Sequence, residues 1–128
     1  LADIGKACQR RGMMLHTPVY KILSAEDDVR AKELGHSDTD LDARDGYVHL
    51  SSKDQVADTL RLHYAGRHGV RLYEFSAERL GGDVKWEESR GGDLFPHLYG
   101  TLRLTNAERS WTLETDEHGN PTLPEELL

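Results

Sequence analysis

Cysteine is nearly absent from this sequence of 128 residues, in which Cys8 is the only one. A single cysteine cannot form a disulfide within the chain, and such scarcity favours a cytoplasmic location. Basic residues are also few, with 16 Lys and Arg against 23 Asp and Glu, which gives a formal net charge of −7. Nucleic-acid-binding domains need a basic surface, so this balance argues against a DNA or RNA partner.

Long apolar runs are missing as well. No stretch approaches the roughly 20 apolar residues of a membrane-spanning helix, so we expect no membrane association. Hydrophobic residues nevertheless make up 37% of the chain, enough for one domain with its own core. We expect residues 1–14 to form a loosely ordered extension, residues 15–116 a single globular domain, and residues 117–128 a surface tail.

The pattern of apolar residues predicts an α+β fold with small mixed or antiparallel sheets and two early helices. Helix signals stand at two places. Ser24 can cap a helix that Gly35 ends, and Ser52 with Gln55 forms a capping box at the start of a second helix. The polar segment 36–46 is interpreted as a solvated loop. Alternating or β-rich segments predict strands at residues 19–23, 47–51, 70–75, 84–87, 98–104 and 110–115.

Two segments place a histidine between apolar neighbours. Successive side chains of a strand point to opposite faces, so Tyr47, His49 and Ser51 share one face of the segment YVHLS. In the same way, an extended segment FPHLY places its phenylalanine, histidine and tyrosine together. We expect both segments to line one cleft. For either histidine taken alone, a hydrogen-bonded, half-buried structural role is the favoured interpretation, and it is the paired pattern that points to a site.

The second set of candidates follows from that pattern. Phe95, His97 and Tyr99 are the residues that FPHLY places on one face. Glu87 stands on an alternating strand and offers a carboxylate that can act as a base or bind a hydroxyl; a solvated edge charge is the alternative. Gly92 belongs to a glycine pair that can close a loop over a ligand, and an ordinary turn is the alternative.

Several known motifs fail on inspection. The acidic run at Asp38 and Asp40 resembles the start of a calcium loop, but Ala43 and His49 stand where that loop requires glycine and glutamate. The sequence contains neither a glycine-rich phosphate motif nor a paired-cysteine zinc site. We therefore predict no metal site.

The blocks DGYVHLS (residues 45–51) and FPHLYG (residues 95–100), with Trp86-Glu87 between them, resemble a bacterial domain-of-unknown-function family, DUF952. The resemblance covers about residues 18–112. One difference is visible: members of the family often have a tryptophan in the helix after the first strand, and residues 24–34 contain none.

The resemblance implies a fold similar to that of ADP-ribosyltransferases, which bind NAD in a cleft between two small sheets. In that wider group a strand histidine followed by a hydroxyl residue begins the site, and His49 with Ser51 match this pattern. His97 matches the second histidine of some members, and Glu87 the glutamate late in the site. We therefore expect His49, His97 and Glu87 to be the catalytic residues. If the ligand is NAD, the remaining candidates are expected to contact it; these are Tyr47, Ser51, Phe95, Tyr99 and Gly92.

Three functions are compatible with these residues. The first is an enzyme that handles NAD or an ADP-ribose-type nucleotide by glycosyl transfer, with a small molecule or nucleotide as its ligand. The second is a non-catalytic module of the same fold that binds a small metabolite. The third is a metal-dependent hydrolase that uses His49 and His97.

Overall fold

The structure is a computed structural model that describes residues 16–128, apart from the side chain of Arg90. Within this range seven strands form two antiparallel sheets. The first sheet has the order β3-β1-β4-β7 and the second the order β2-β6-β5. The strands are β1 (Pro18–Leu23), β2 (Val48–His49), β3 (Ser51–Ser52), β4 (Arg71–Ser76), β5 (Val84–Glu88), β6 (Leu94–Leu98) and β7 (Arg109–Thr112).

The described part of the chain has four α-helices rather than the two predicted. They are α1 (Ala25–Leu34), α2 (Asp40–Asp45), α3 (Lys53–His63) and α4 (Ala77–Leu80), with short 3₁₀ turns at Arg90–Gly92, Leu104–Asn106 and Glu125–Leu127. The fold class is therefore α+β, as predicted. Within residues 16–128, no helix has the length and apolar character needed to cross a bilayer.

Both predicted capping signals are confirmed. The Ser24 hydroxyl accepts a hydrogen bond from the Asp27 N–H at the start of α1, and Gly35 ends that helix with a φ of 84°. The Gln55 side chain accepts a hydrogen bond from the Ser52 N–H at 2.9 Å and fixes the start of α3. Both bonds satisfy backbone groups that a helix end leaves without partners.

Two apolar clusters lie on opposite faces of the first sheet. One lies between the sheets, where Val19 and Phe75 of the first sheet share a cluster with Val48 and Leu98 of the second. The other lies under α3 and includes Ile22, Leu72, Val56, Leu60 and Leu127. Because Leu127 belongs to this cluster, the segment predicted as a surface tail contributes a side chain to the core.

The predicted strand 47–51 is divided between the two sheets. His49 pairs with His97 in the second sheet, whereas Ser51 pairs with Tyr20 in the first. The chain passes from one sheet to the other at Leu50, whose N–H donates to the carbonyl of Pro96. The prediction of one continuous strand was wrong because alternation identifies extended backbone and not the sheet to which it belongs.

The segment 36–46 is not a simple loop, because residues 40–45 form α2. The Thr39 hydroxyl accepts a hydrogen bond from the Asp42 N–H, and Gly46 ends the helix with a φ of 84°. The acidic side chains suggested full solvation, yet Asp42 is only 8% exposed. Its charge is balanced by Lys21, a residue distant in sequence.

The predicted strand 98–104 was placed too late. The strand is β6, which ends at Leu98, and the Tyr99 N–H already donates to the Asp83 carbonyl outside the ladder. Leu102 is fully buried in irregular backbone, which gave the apolar signal without a strand. Trp86 is 40% exposed, because β5 is the edge of a three-stranded sheet.

Candidate functional site

A cavity of about 690 Å³ opens where the two sheets separate. β3 pairs with β1 only at Val19 and Tyr20, so no strand formed by residues 16–128 lies beside the rest of that edge of β1. The backbone turns instead into the second sheet, and Lys21 and Ile22 line the resulting space together with His49. The volume lies within the range of about 300–1,000 Å³ that is typical of sites for small ligands.

The two candidate histidines meet in this cavity wall. His49 and His97 are directly paired across β2 and β6, and their ring centroids are 5.6 Å apart. Tyr47 stacks on His97, with centroids 4.1 Å apart and an interplanar angle of 25°. The sequence predicted one aromatic–histidine group on each segment. The pairing of β2 with β6 brings the two groups into one cluster of side chains.

Glu87 fixes the orientation of His97. The Nδ1 atom of His97 lies 2.8 Å from Oε1 of Glu87, and the Tyr99 hydroxyl donates to the same oxygen at 2.7 Å. His97 is only 3% exposed, and its Nε2 atom has no hydrogen-bond partner among residues 16–128. An imidazole that donates through Nδ1 to a carboxylate has its lone pair on Nε2, so His97 can accept a proton or a hydrogen bond.

The hydrogen bonds around Glu87 change two pKa values. Donation from Tyr99 and then from His97 holds the pKa of Glu87 below its ordinary value. The Tyr99 bond to that carboxylate raises the pKa of Tyr99 to about 12. Glu87 is consequently an anion at neutral pH and a fixed hydrogen-bond acceptor for His97.

A buried carboxylate holds the other histidine. Oδ1 of Asp42 lies 2.6 Å from Nδ1 of His49 and accepts the His49 backbone N–H at 3.1 Å. Oδ2 of Asp42 accepts a hydrogen bond from Nζ of Lys21 at 2.7 Å, and Lys21 also donates to the His49 carbonyl. One side chain of α2 therefore fixes the position of β2 and balances a buried ammonium group.

These contacts perturb the titration of both charged groups. Burial acts to raise the pKa of Asp42, but the hydrogen bond to His49 and the charge of Lys21 outweigh it and lower the pKa to about 2. Burial lowers the pKa of the Lys21 ammonium, and Asp42 opposes that change. The pair persists in the protein interior because each charge lies beside the other.

The second nitrogen of His49 is also engaged. Its Nε2 atom lies 3.0 Å from Oδ2 of Asp45, at the end of α2. Both ring nitrogens thus face carboxylate oxygens, an arrangement in which the ring contributes no free acceptor. Asp45 is partly exposed, so a ligand hydroxyl that approaches Nε2 has to take the place of this carboxylate.

The structure brings most of the candidate residues together, but not all of them. His49, Ser51, Phe95 and His97 line the cavity. Tyr47, Glu87 and Tyr99 surround His97 through the contacts described above. Gly92 does not join them, because it lies in the exposed turn Arg90–Gly92, where its N–H donates to the Ser89 carbonyl.

Most of the remaining lining was not anticipated from the sequence. The side chains come from β1, α1, α2 and the end of α3, and include Tyr20, Lys21, Asp27, Asp42, Thr59, His63, Tyr64 and Arg67. One local signal was available: a threonine followed three residues later by an aspartate, with glycine at residue 46, is a helix start and stop. It predicts α2, although it does not identify the partner of Asp42.

The described residues offer no metal site. Within residues 16–128, no group of three or more His, Cys, Asp or Glu side chains has the arrangement that could hold a metal ion. His97 and Glu87 are bonded to each other, and His49 is bonded to two aspartates. The hydrolase alternative therefore has no set of ligands in this part of the chain.

Comparison with known proteins places the chain in a family. No curated protein matches the sequence. The crystal structure of protein CC0527 from Caulobacter crescentus superposes with a TM-score of 0.80 at 39% identity, with 87% of this chain and 98% of that chain covered. The solution NMR structure of the same protein superposes with a TM-score of 0.71 at 39% identity, with 81% of this chain and 90% of that chain covered. The model of a protein family of unknown function, DUF952, matches residues 22–110, and the chain belongs to this family.

Proposed function

We propose that the cavity binds NAD or an ADP-ribose-type nucleotide and that the protein cleaves or transfers at the glycosidic bond of that ligand. The observation that carries the proposal is His97, which lines a cavity of about 690 Å³ and whose Nδ1 atom lies 2.8 Å from a carboxylate oxygen of Glu87. A buried imidazole oriented by a carboxylate and open at Nε2 is the arrangement of a general base. Tyr20, Tyr64 and Phe95 supply aromatic walls for a base or nicotinamide ring.

Each residue has a place in such a reaction. In hydrolysis of NAD, the bond between the ribose carbon and the nicotinamide nitrogen breaks, and the ring leaves with the electron pair. A water oxygen forms the new bond to carbon, and its proton passes to Nε2 of His97. Glu87 stabilises the protonated imidazole and the positive charge that develops on the ribose. His49 and Ser51 bind ribose hydroxyls once Asp45 is displaced.

Glycosyl transfer is one part of the proposal, and the similarity to ADP-ribosyltransferases is the other. Two small antiparallel sheets with a cleft at their junction support that similarity. The main alternative is a metabolite-binding module without chemistry. The two carboxylates around His49 favour this alternative. Asp42 and Asp45 occupy both of its ring nitrogens, so the imidazole has no free nitrogen with which to accept a proton.

Binding is tested by calorimetric titration with NAD and with ADP-ribose. We expect micromolar affinity for at least one ligand, and we expect His97→Ala to weaken it at least tenfold, about 1.4 kcal/mol. His68→Ala is the matched control, because His68 does not line the cavity, and its affinity should equal that of the wild type.

The outcomes separate the hypotheses. Binding without release of nicotinamide, with the same loss in His97→Ala, supports the metabolite-binding module and rejects the enzyme. No heat with either ligand, from folded wild-type protein, rejects the nucleotide proposal altogether.

A further inference from the structure

We propose that the end of the cavity formed by the end of α3 and the following turn binds a phosphate group, with Arg67 as its principal ligand. This inference rests on the proposed nucleotide cleft and specifies the orientation of the ligand in it. The phosphate-bearing part of the ligand lies toward Arg67, and the ribose to be cleaved lies toward His97. Both residues line the same cavity.

Among the described cationic side chains that line the cavity, Arg67 makes the weakest contact with a carboxylate of the protein itself. Its NH2 nitrogen lies 3.5 Å from Oε1 of Glu26, whose side chain is 82% exposed, so solvent screens this contact. The guanidinium carbon lies 6.0 Å from the centroid of the Tyr64 ring. The Arg67 side chain is 47% exposed, which leaves its planar set of donors open to a ligand. That geometry matches two phosphate oxygens at once.

The other cations near the site are already paired. Lys21 donates to Asp42 and to the His49 carbonyl, and it is nearly fully buried. Arg109, outside the cavity, makes two bonds of 2.9 Å to buried Glu74. If either cation moved to bind an anion, it would leave a buried carboxylate without its cationic partner.

The backbone that carries Arg67 is anchored from a distance. The Arg67 N–H donates to the Tyr64 carbonyl at 3.0 Å, which closes a turn. The Gly66 N–H donates to Oδ1 of Asn120 at 2.8 Å, and Asp116 accepts the Asn120 N–H at 3.0 Å. The segment 116–120 thus holds the turn in place, so the backbone from which the Arg67 side chain extends is fixed. Preorganisation of this kind reduces the entropy cost of binding.

Several carboxylates oppose the anion. Asp27 and Asp40 line the same cavity, and Glu26 lies beside Arg67, so each repels a phosphate group placed there. Asp42 also lines the cavity, but its charge is balanced by Lys21. His63 lines the cavity as well and can donate a hydrogen bond. Because these carboxylates offset much of the Arg67 charge, we expect a preference for the phosphorylated ligand of only about tenfold, which is about 1.4 kcal/mol.

The test compares ADP with adenosine, and inorganic pyrophosphate with both, by calorimetry. Arg67→Gln should weaken ADP and pyrophosphate at least tenfold and leave adenosine within twofold of the wild type. Arg61→Gln is the matched control: Arg61 is an exposed arginine of α3, paired with Asp58, that does not line the cavity. It should change none of the three affinities. Asn120→Ala should weaken ADP and pyrophosphate two- to fivefold through the loss of the Gly66 anchor.

The results distinguish this inference from the proposed function. Pyrophosphate binding that Arg67→Gln abolishes supports the phosphate end, even if no nucleoside binds and the nucleotide cleft is rejected. Equal losses of ADP and adenosine in Arg67→Gln overturn the phosphate assignment and leave the cleft intact. Unchanged affinities for all three ligands also overturn it, because both Arg67→Gln and Arg61→Gln alter only exposed side chains.

Discussion

Replacement of Asp42 by alanine should lower the free energy of unfolding by about 3–5 kcal/mol. The reason is that Lys21 would remain buried while its ammonium group loses the one carboxylate among residues 16–128 that lies at hydrogen-bonding distance. The same change removes the two hydrogen bonds by which Asp42 holds the backbone N–H and the Nδ1 atom of His49. Urea denaturation followed by circular dichroism measures the loss.

Two variants make this result specific. Asp38→Ala removes an exposed ion pair with Arg30, which solvent screens, and should leave the free energy of unfolding close to that of the wild type. The double variant Lys21→Met/Asp42→Leu replaces the pair by apolar groups and should recover the part of the loss that comes from the unpaired Lys21 charge, but not the part that comes from the two hydrogen bonds to His49. If Asp42→Ala lowered the free energy of unfolding by less than about 1 kcal/mol, Asp42 would not be the group that stabilises the buried charge of Lys21.

The pH dependence of stability gives a second readout of the same pair. The pKa of Asp42 is about 2 in the folded protein against an ordinary value of 3.8. A carboxyl group with a lowered pKa stabilises the fold above its ordinary value, and that contribution disappears as the pH falls toward the folded value. The wild type should therefore lose stability between pH 4 and pH 2 more steeply than Asp42→Ala.

Replacement of Glu87 by glutamine should lower turnover of NAD at least a hundredfold, if the proposed chemistry holds, with little effect on folding. A carboxylate can only accept, so it fixes the proton of His97 on Nδ1. An amide can donate through its nitrogen and then favours the other tautomer, which removes the lone pair from Nε2. Nicotinamide release measures turnover, and ¹⁵N NMR of the histidine ring reports the tautomer.

Glu88→Gln is the matched control for that variant. Glu88 follows Glu87 on β5, is exposed, and points to the opposite face of the strand. Its removal changes the net charge equally and should leave turnover and the His97 tautomer unchanged. Equal losses in both variants would assign the effect to net charge, and an unchanged tautomer in Glu87→Gln would contradict the orienting role of Glu87.

Local chemistry accounts for what was predictable from the sequence. The Ser24 cap, the Gly35 stop and the Ser52–Gln55 capping box are interactions within four residues, and all three were found as expected. The alternation that placed Phe95, His97 and Tyr99 on one face also agrees with the register of β6, since His97 lies opposite both His49 and Lys85.

Long-range pairing accounts for what was not predictable. Lys21 and Asp42 are 21 positions apart, and neither is recognisable as buried until the other is beside it. The division of residues 47–51 at Leu50 depends on the Pro96 carbonyl, which no pattern around Leu50 reveals. Nothing in the sequence around Arg67 distinguishes it from a solvated arginine, and only the turn that follows α3 brings it to the cavity.

We propose the cavity at the junction of the sheets as the ligand site, and chemical-shift mapping with ADP-ribose on ¹⁵N-labelled protein locates the bound ligand residue by residue. We expect the largest amide shifts at His49, Ser51, His97 and Arg67, with none at Trp111 on β7, a strand that contributes no residue to the cavity lining. Shifts confined to residues outside the cavity, or none at millimolar ligand, would contradict the claim.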